Sequence, residues 1–295
     1  MEWEALPPPE TKTRYFWKRA WKLRAGIVGF LLVFSMVLCA LFAPYIAPYD
    51  PYEQDIFKRL VPPVWDERGG TDHLLGTDQL GRDILSRIIF GSRISLSVGI
   101  IAVLIAGTLG VLLGLIAGYY GGRIDTIISF AVNVMLSFPT ILLAMAIVAV
   151  LGPSFTNMFI VLGITGWPIY TRVVRAEVYN YREREFTLAA RALGMWDRRI
   201  MLRHILPNLI NTIVVLATVE VARMIIRESF LSFLGLGIPP PTPSWGVMLS
   251  EGRAFMLGMW WLATFPGMAI FLTTLGINLL GDGLRDLLDP YAKDK

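Results

Sequence analysis

Polar and apolar positions fall into long blocks along this chain. Four stretches contain no Asp, Glu, Lys or Arg, and they are bounded by Arg24 and Asp50, Arg93 and Arg123, Asp125 and Arg172, and Arg253 and Asp282. A helix needs about 20 mostly apolar residues to cross the hydrocarbon of a bilayer. The first, second and fourth stretches each hold one such helix. The third is roughly twice too long for one. Gly152-Pro153-Ser154 breaks it with a turn signal, so it reads as two spans in a tight hairpin. Pro168 falls late in the second of these, where a kink is tolerated. A further apolar run, Leu209 to Val219, leads to Glu220 and Arg223. The pattern predicts six spans, at about 26–44, 95–118, 127–150, 155–173, 206–227 and 260–281.

One apolar stretch is a decoy. Ser229 to Ser250 is also free of charge, but it contains Gly235-Leu236-Gly237 and Pro239-Pro240-Pro241-Thr242-Pro243. No lipid-exposed helix can be built from that, because its backbone groups would go unsatisfied. It reads as an ordered extramembrane or re-entrant segment.

Six spans put both termini on one side. That side carries 18 Lys and Arg residues against 9 on the other, which predicts cytoplasmic ends. Gly26 to Ala43 is long enough to stay in place as a signal anchor. The resulting organisation is a cytoplasmic tail over 1–25, a first transmembrane helix over 26–44 and an extracytoplasmic loop region over 45–93. A transmembrane core over 94–285 follows, with a cytoplasmic loop at 174–205 and an extracytoplasmic segment at 228–259, and a cytoplasmic tail over 286–295 closes the chain.

Composition narrows the function. Charged residues make up 17% and the mean hydropathy is +0.56, which excludes a disordered chain and argues against a wholly soluble enzyme. A net charge of +4 is too small to argue for nucleic acid. The single cysteine, Cys39, excludes intrachain disulfides and Cys-clustered metal sites, and the two histidines, His73 and His204, lie far apart. No Gly-Lys dipeptide is present, so the chain has no P-loop, and His-Glu-xx-His is also missing. Neither histidine lies in a predicted span, which leaves a membrane serine protease without its base. These absences leave catalysis out of this chain, with no cofactor and no metal in it, so the energy for any transport must come from another subunit.

Three groups of residues are candidates for function. Arg182 to Leu193 reads as a helix that Gly194 ends, and Asp197 is expected to cap a short second helix from Arg198 to His204. Leu206-Pro207-Asn208 is expected to break that helix and start the fifth span. Small residues at the bend, Ala189 and Ala190, would let another protein's backbone approach. In the outer loop, Asp78, Arg82 and Asp83 can form local ion pairs that fix a compact turn over the mouth of the bundle. Trp245, between Ser244 and Gly246, is expected to anchor at the membrane interface. Glu220 and Arg223 lie three apart on one helix face. They are either a paired, partly solvated helix end or polar groups lining a pathway, and Glu228 further along is a third candidate pathway residue.

These residues also carry a resemblance. Ala189-Ala190, Gly194 and Leu206-Pro207 resemble the loop of bacterial ABC importer permeases written EAA…G…LP. Leu188 stands at that loop's Glu position and His204 at an expected Ile. Gly76-Thr77-Asp78-Gln79-Leu80-Gly81-Arg82-Asp83-Ile84-Leu85-Ser86-Arg87, then Gly91-Ser92-Arg93-Ile94-Ser95-Leu96, is similar to a segment of the C-type subunit of dipeptide and oligopeptide permeases. So are Glu228, Leu231 to Gly237 and Pro243-Ser244-Trp245-Gly246.

The resemblance runs from about residue 26 to 290. It implies an all-α, six-helix type I importer permease in a bacterial or archaeal cytoplasmic membrane. It further implies a second homologous permease subunit, two ABC ATPases that receive the coupling loop, and an extracytoplasmic binding protein that docks near Asp78, Arg82, Asp83 and Trp245. Peptide is the implied substrate. Closely similar permeases carry nickel or oligosaccharide. A secondary transporter or channel would need charged or broken helices near the midplane, and the four charge-free windows offer no charge there.

Overall fold

The computed structural model describes residues 12–288. The outermost parts of both tails, 1–11 and 289–295, lie outside the described residues. In chain order the helices are α1 (Lys12–Leu41), α2 (Ala43–Ile46), α3 (Ile84–Tyr120), α4 (Gly122–Ser137), α5 (Thr140–Leu151) and α6 (Phe155–Arg182). They continue with α7 (Glu185–Ala192), α8 (Asp197–Ile200), α9 (Leu206–Phe233), α10 (Trp245–Gly252) and α11 (Trp261–Leu288). The described residues contain no strand, only an isolated bridge between Thr77 and Asp83.

Four helical stretches are long and apolar enough to cross a membrane: Arg24–Leu41, Ile84–Tyr120, Asp197–Phe233 and Trp261–Leu288. The expected span at 127–150 is not one helix. It is the pair α4 and α5, bent by 90° at their junction. Pro139 is the physical reason. The residue before a proline is pushed out of the helical region, and Phe138 sits extended at φ −93°, ψ 138°. Gly152 and Ser154 end α5 and start α6 where the turn was expected. Gly152 takes φ +81°, and Ser154 Oγ accepts from Asn157 N at 3.0 Å. α6 keeps Pro168 inside it and runs past the expected end of its span, on to Arg182.

Glycines bring α3 and α6 into backbone contact. A Cβ on Gly110 would lie 2.4 Å from Tyr170 Cβ, one on Gly114 2.8 Å from Val174 Cβ, and one on Gly118 2.7 Å from Val178 Cβ. Each is closer than real Cβ atoms come. The four-residue spacing puts the three on one face, the small-xxx-small arrangement that lets membrane helices touch. Thr171 Oγ1 then reaches across to donate to Gly110 O at 3.1 Å. A second close crossing joins α1 to α11, where Gly26 meets Gly283 and Gly29 meets the backbone of Gly276 and Leu280. Buried Val98, Ala102, Ala106, Val161, Leu162, Tyr170 and Met224 fill the space where α3, α6 and α9 converge. Irregular segments gather at the two ends of this bundle. The cap comprises residues 47–83 and 234–260; the elbow comprises residues 183–205.

Candidate functional site

The cap is built on a ring of four charges. Asp78 Oδ1 accepts from the backbone N of Leu80 (2.8 Å) and of Arg82 (3.0 Å), which closes a tight turn. Its Oδ2 accepts from Arg82 Nε at 2.7 Å and from an Arg87 guanidinium nitrogen at 2.6 Å. Both guanidiniums then reach the same Glu251 Oε2 at 2.9 Å. Asp78, Arg82 and Arg87 are buried, and the Glu251 side chain is 19% exposed. Burial works against the charge on Arg82, yet the hydrogen bond and charge of Asp78 hold its pKa above the ordinary value. Burial also lifts the Glu251 carboxyl, with Arg82 pulling the other way. The ring is neutral overall and staples the turn before α3 to α10.

Asp83 does not pair with Arg82. Its Oδ1 meets His73 Nδ1 at 3.0 Å, and its Oδ2 accepts from Ser86 N and Oγ, both at 2.7 Å, as the N-cap of α3. Trp245 corrects the expectation of an interface anchor. Its side chain is fully buried at the start of α10, donates from Nε1 to Ile88 O at 3.0 Å and lies against Gly91. Segment 234–260 folds back onto α3, so the indole faces protein. Glu228 is likewise buried. Its Oε1 accepts from Ser232 (2.8 Å) and Ser244 (3.0 Å), and its Oε2 from Ser229 (3.3 Å) and Ser95 (3.5 Å). A carboxylate surrounded by hydroxyls from α3, α9 and the N-cap of α10 locks three elements together. Arg87 and Glu251 were not singled out by sequence. The signal that could have found them is that Glu251 is the lone carboxylate between Glu228 and Asp282, and a buried carboxylate needs hydrogen-bond donors or a cation.

The elbow forms as a Schellman motif. Met195 N donates to Ala190 O (3.1 Å) and Gly194 N to Arg191 O (3.0 Å), with Gly194 at φ +75°. Two expectations for this loop are corrected. Asp197 does not cap: Trp196 is the N-cap residue, with no side-chain cap bond, and Asp197 instead accepts from Tyr119 Oη at 2.6 Å. Leu206-Pro207 does not break the helix either. A π turn, Met201–Ile205, carries α8 into α9 without interruption. The wider turn relieves the clash and missing donor that proline brings to an α-helix.

Ala190 packs inward against a core of Val174, Val178, Ile200 and Ile205, so of the two alanines only Ala189 faces out. Leu206 is half-buried and Pro207 exposed. Beside the bend, Leu193 is 78% and Trp196 84% exposed. Near the elbow, Arg175 grips Asp125 of α4 through two N–H···O bonds.

Within α9, Glu220 is fully buried and accepts from an Arg223 guanidinium nitrogen at 2.6 Å. Arg227, which sequence did not single out, lies 3.8 Å from the other carboxylate oxygen. The i, i+3 pairing expected of Glu220 and Arg223 is therefore present.

The chain is thus an all-helical membrane bundle with a charge-locked cap at one end and a glycine elbow at the other. Among solved structures, an amino acid ABC transporter with histidines aligns with 69% of this chain and 95% of its own at TM-score 0.54 and 19% identity, a likeness of fold. Residues 110–294 match the family described as binding-protein-dependent transport system inner membrane component, and residues 11–63 match the N-terminal TM domain of oligopeptide transport permease C. The dipeptide transport system permease protein DppC of Haemophilus influenzae is 43% identical over 285 residues, 97% of each chain. The glutathione transport system permease protein GsiD of Pectobacterium atrosepticum is 42% identical over 283 residues, 96% of this chain and 92% of that one. This chain belongs to the family of binding-protein-dependent transport inner-membrane components. It is the permease component of a system that also includes an ATPase and a binding protein.

Proposed function

We propose that this chain is one transmembrane half of an ATP-driven importer of di- and oligopeptides. On this reading the six spans are the four long apolar helices, the broken pair α4 and α5 as a fifth and α6 as the sixth, with both termini in the cytoplasm of a bacterium or archaeon. A second homologous permease completes the pathway as a heterodimer. Two ATPases, which bind ATP and Mg, dock at the elbow, and the binding protein delivers peptide at the cap. This chain itself performs no hydrolysis.

The observation that carries the reading is the elbow. Leu193 and Trp196 present apolar surface on either side of a rigid bend, and that bend is continuous with α9 through the π turn and packed on α6 through Ala190. A push on the elbow therefore tilts two pathway helices together. The buried cap charges serve to hold the cap's shape, and the binding protein meets the surface that this shape presents.

The test is reconstitution of the chain with its partner permease, ATPases and binding protein in proteoliposomes. Labelled dipeptide should accumulate only with ATP and binding protein both present. Accumulation driven by an ion gradient in the absence of ATP would instead mark a secondary transporter.

A further inference from the structure

We propose that Arg223 and Arg227, backed by Glu220, form a station on α9 that binds the C-terminal carboxylate of the peptide in transit. The proposal rests on the reading of the chain as a peptide permease and adds a substrate-contacting site to it.

The charge arithmetic is local. One buried carboxylate faces two guanidiniums, at 2.6 Å and 3.8 Å, so the cluster carries one net positive charge. From α6, the group within electrostatic reach of Glu220 is the Tyr170 phenol, which is buried and has no hydrogen-bond partner among the described residues. The next carboxylate along α9, Glu228, is enclosed by its serines. The positive charge is thus directed outward through Arg223, whose side chain is 51% exposed while Arg227 is 16% exposed.

Arg223 gives one N–H to Glu220, and a guanidinium has five such donors in a planar fork. It shares its face of α9 with exposed Ile226 and Phe230. Arg223 lies inside the expected fifth span, four residues or about 6 Å from its outer end at 227. Its bond to the buried Glu220 carboxylate, one turn further in, holds the guanidinium toward the span, where ionisable groups face the bundle interior or a water-filled cavity.

The chemistry selects the ligand. A net positive site repels the ammonium end of a peptide and attracts its carboxylate. The guanidinium fork matches the two carboxylate oxygens with parallel hydrogen bonds. Ile226 and Phe230 add apolar contact that is indifferent to side-chain identity. The C-terminal carboxylate is the anionic group every free peptide has, so a station that reads it accepts peptides of any sequence.

The experiment measures uptake of labelled dialanine and of dialanine amide by the complete reconstituted complex, each delivered at a saturating concentration by the same binding protein. Any preference of the binding protein cancels when acid-to-amide ratios are compared between permease variants. Arg223→Gln should lower that ratio at least tenfold relative to the native complex. Arg223→Lys, which keeps the charge and loses the fork, should lower it less and carries the measurement if the Gln variant fails to assemble. A ratio unchanged in an assembled variant, whether both uptakes fall equally or neither falls, overturns the proposal; an equal fall would assign Arg223 to contact with the second permease subunit. A native complex that moves neither compound refutes the peptide-permease reading itself, and the station falls with it.

Discussion

Substitution at Gly194 separates the shape of the elbow from its bulk. The residue sits at φ +75°, and a Cβ built there meets nothing within 4 Å. Any penalty for a side chain is therefore conformational. An ordinary L-residue forced into the left-handed region costs about 1–2 kcal/mol, whereas Asn tolerates that region well. A penalty of about 1–2 kcal/mol shifts the balance between bent and straightened elbow by a factor of about 5–30. The Schellman bonds from Met195 to Ala190 and from Gly194 to Arg191 are the ones at risk. Straightening would carry Leu193 and Trp196 away from their present positions beside the bend. Asn and Val are of similar size and differ in their tolerance of positive φ. In reconstituted complex, peptide moved per ATP hydrolysed should follow the order Gly, Asn, Ala, Val, with Gly194→Asn near native and Gly194→Val lowest. Equal ratios for Asn and Val with intact assembly would refute the conformational argument, and an unchanged ratio throughout would remove Gly194 from coupling.

Three further outcomes follow from the same geometry. Gly114→Ala would gain about 1 kcal/mol of helix propensity at an open site, but its Cβ would lie 2.8 Å from Val174 Cβ; we expect net destabilisation of about 1–3 kcal/mol from overpacking, read as a lowered melting temperature in detergent, and a raised one would contradict the close crossing. Glu251→Gln leaves Arg82 and Arg87 sharing only Asp78, so the cap should loosen by about 3 kcal/mol, the low end for removing one partner of a buried ion pair; faster proteolysis within 47–83 is the readout, and unchanged protection would show that the ring does not hold the cap. For topology, single cysteines at fully exposed Phe57 and at Trp196, in a Cys39→Ser background, should react with an impermeant maleimide from opposite sides of the membrane, and labelling of both from one side would overturn the proposed orientation.

The four long apolar helices were legible because their signal is compositional: charge is expensive in hydrocarbon, so its absence marks such helices whatever they pack against. The break at Phe138-Pro139 was equally local and was passed over because the stretch is apolar on both sides of it. Pro207 misled in the opposite direction. A proline predicts a break, and only the three-dimensional path shows a π turn absorbing it. In the cap, Asp78 and Arg82 are four residues apart and visibly paired. Arg82's link to Glu251 closes over 169 residues and Arg87's over 164, distances at which one sequence carries no pairing information. Trp245 was misplaced because an aromatic residue in a Pro-Ser-Trp-Gly run looks the same whether its ring meets lipid or the backbone of α3. The glycines at 110, 114 and 118 lie in plain view, yet their meaning depends on which helix they face.

The ring of Asp78, Arg82, Arg87 and Glu251 also bears on where such a protein can work. Mobile ions screen exposed charges within about 8–10 Å at ordinary salt, but they act far less on charges shut away from solvent. The four ring side chains are between 1% and 19% exposed, so dissolved ions have little access to them. By contrast, Lys58 and Asp72, on the surface of the same segment, are about half exposed and open to screening. A rise in salt would weaken the surface pair and leave the inner one intact. The shape of the cap is thereby insulated from the ionic composition of whatever medium bathes that end of the protein.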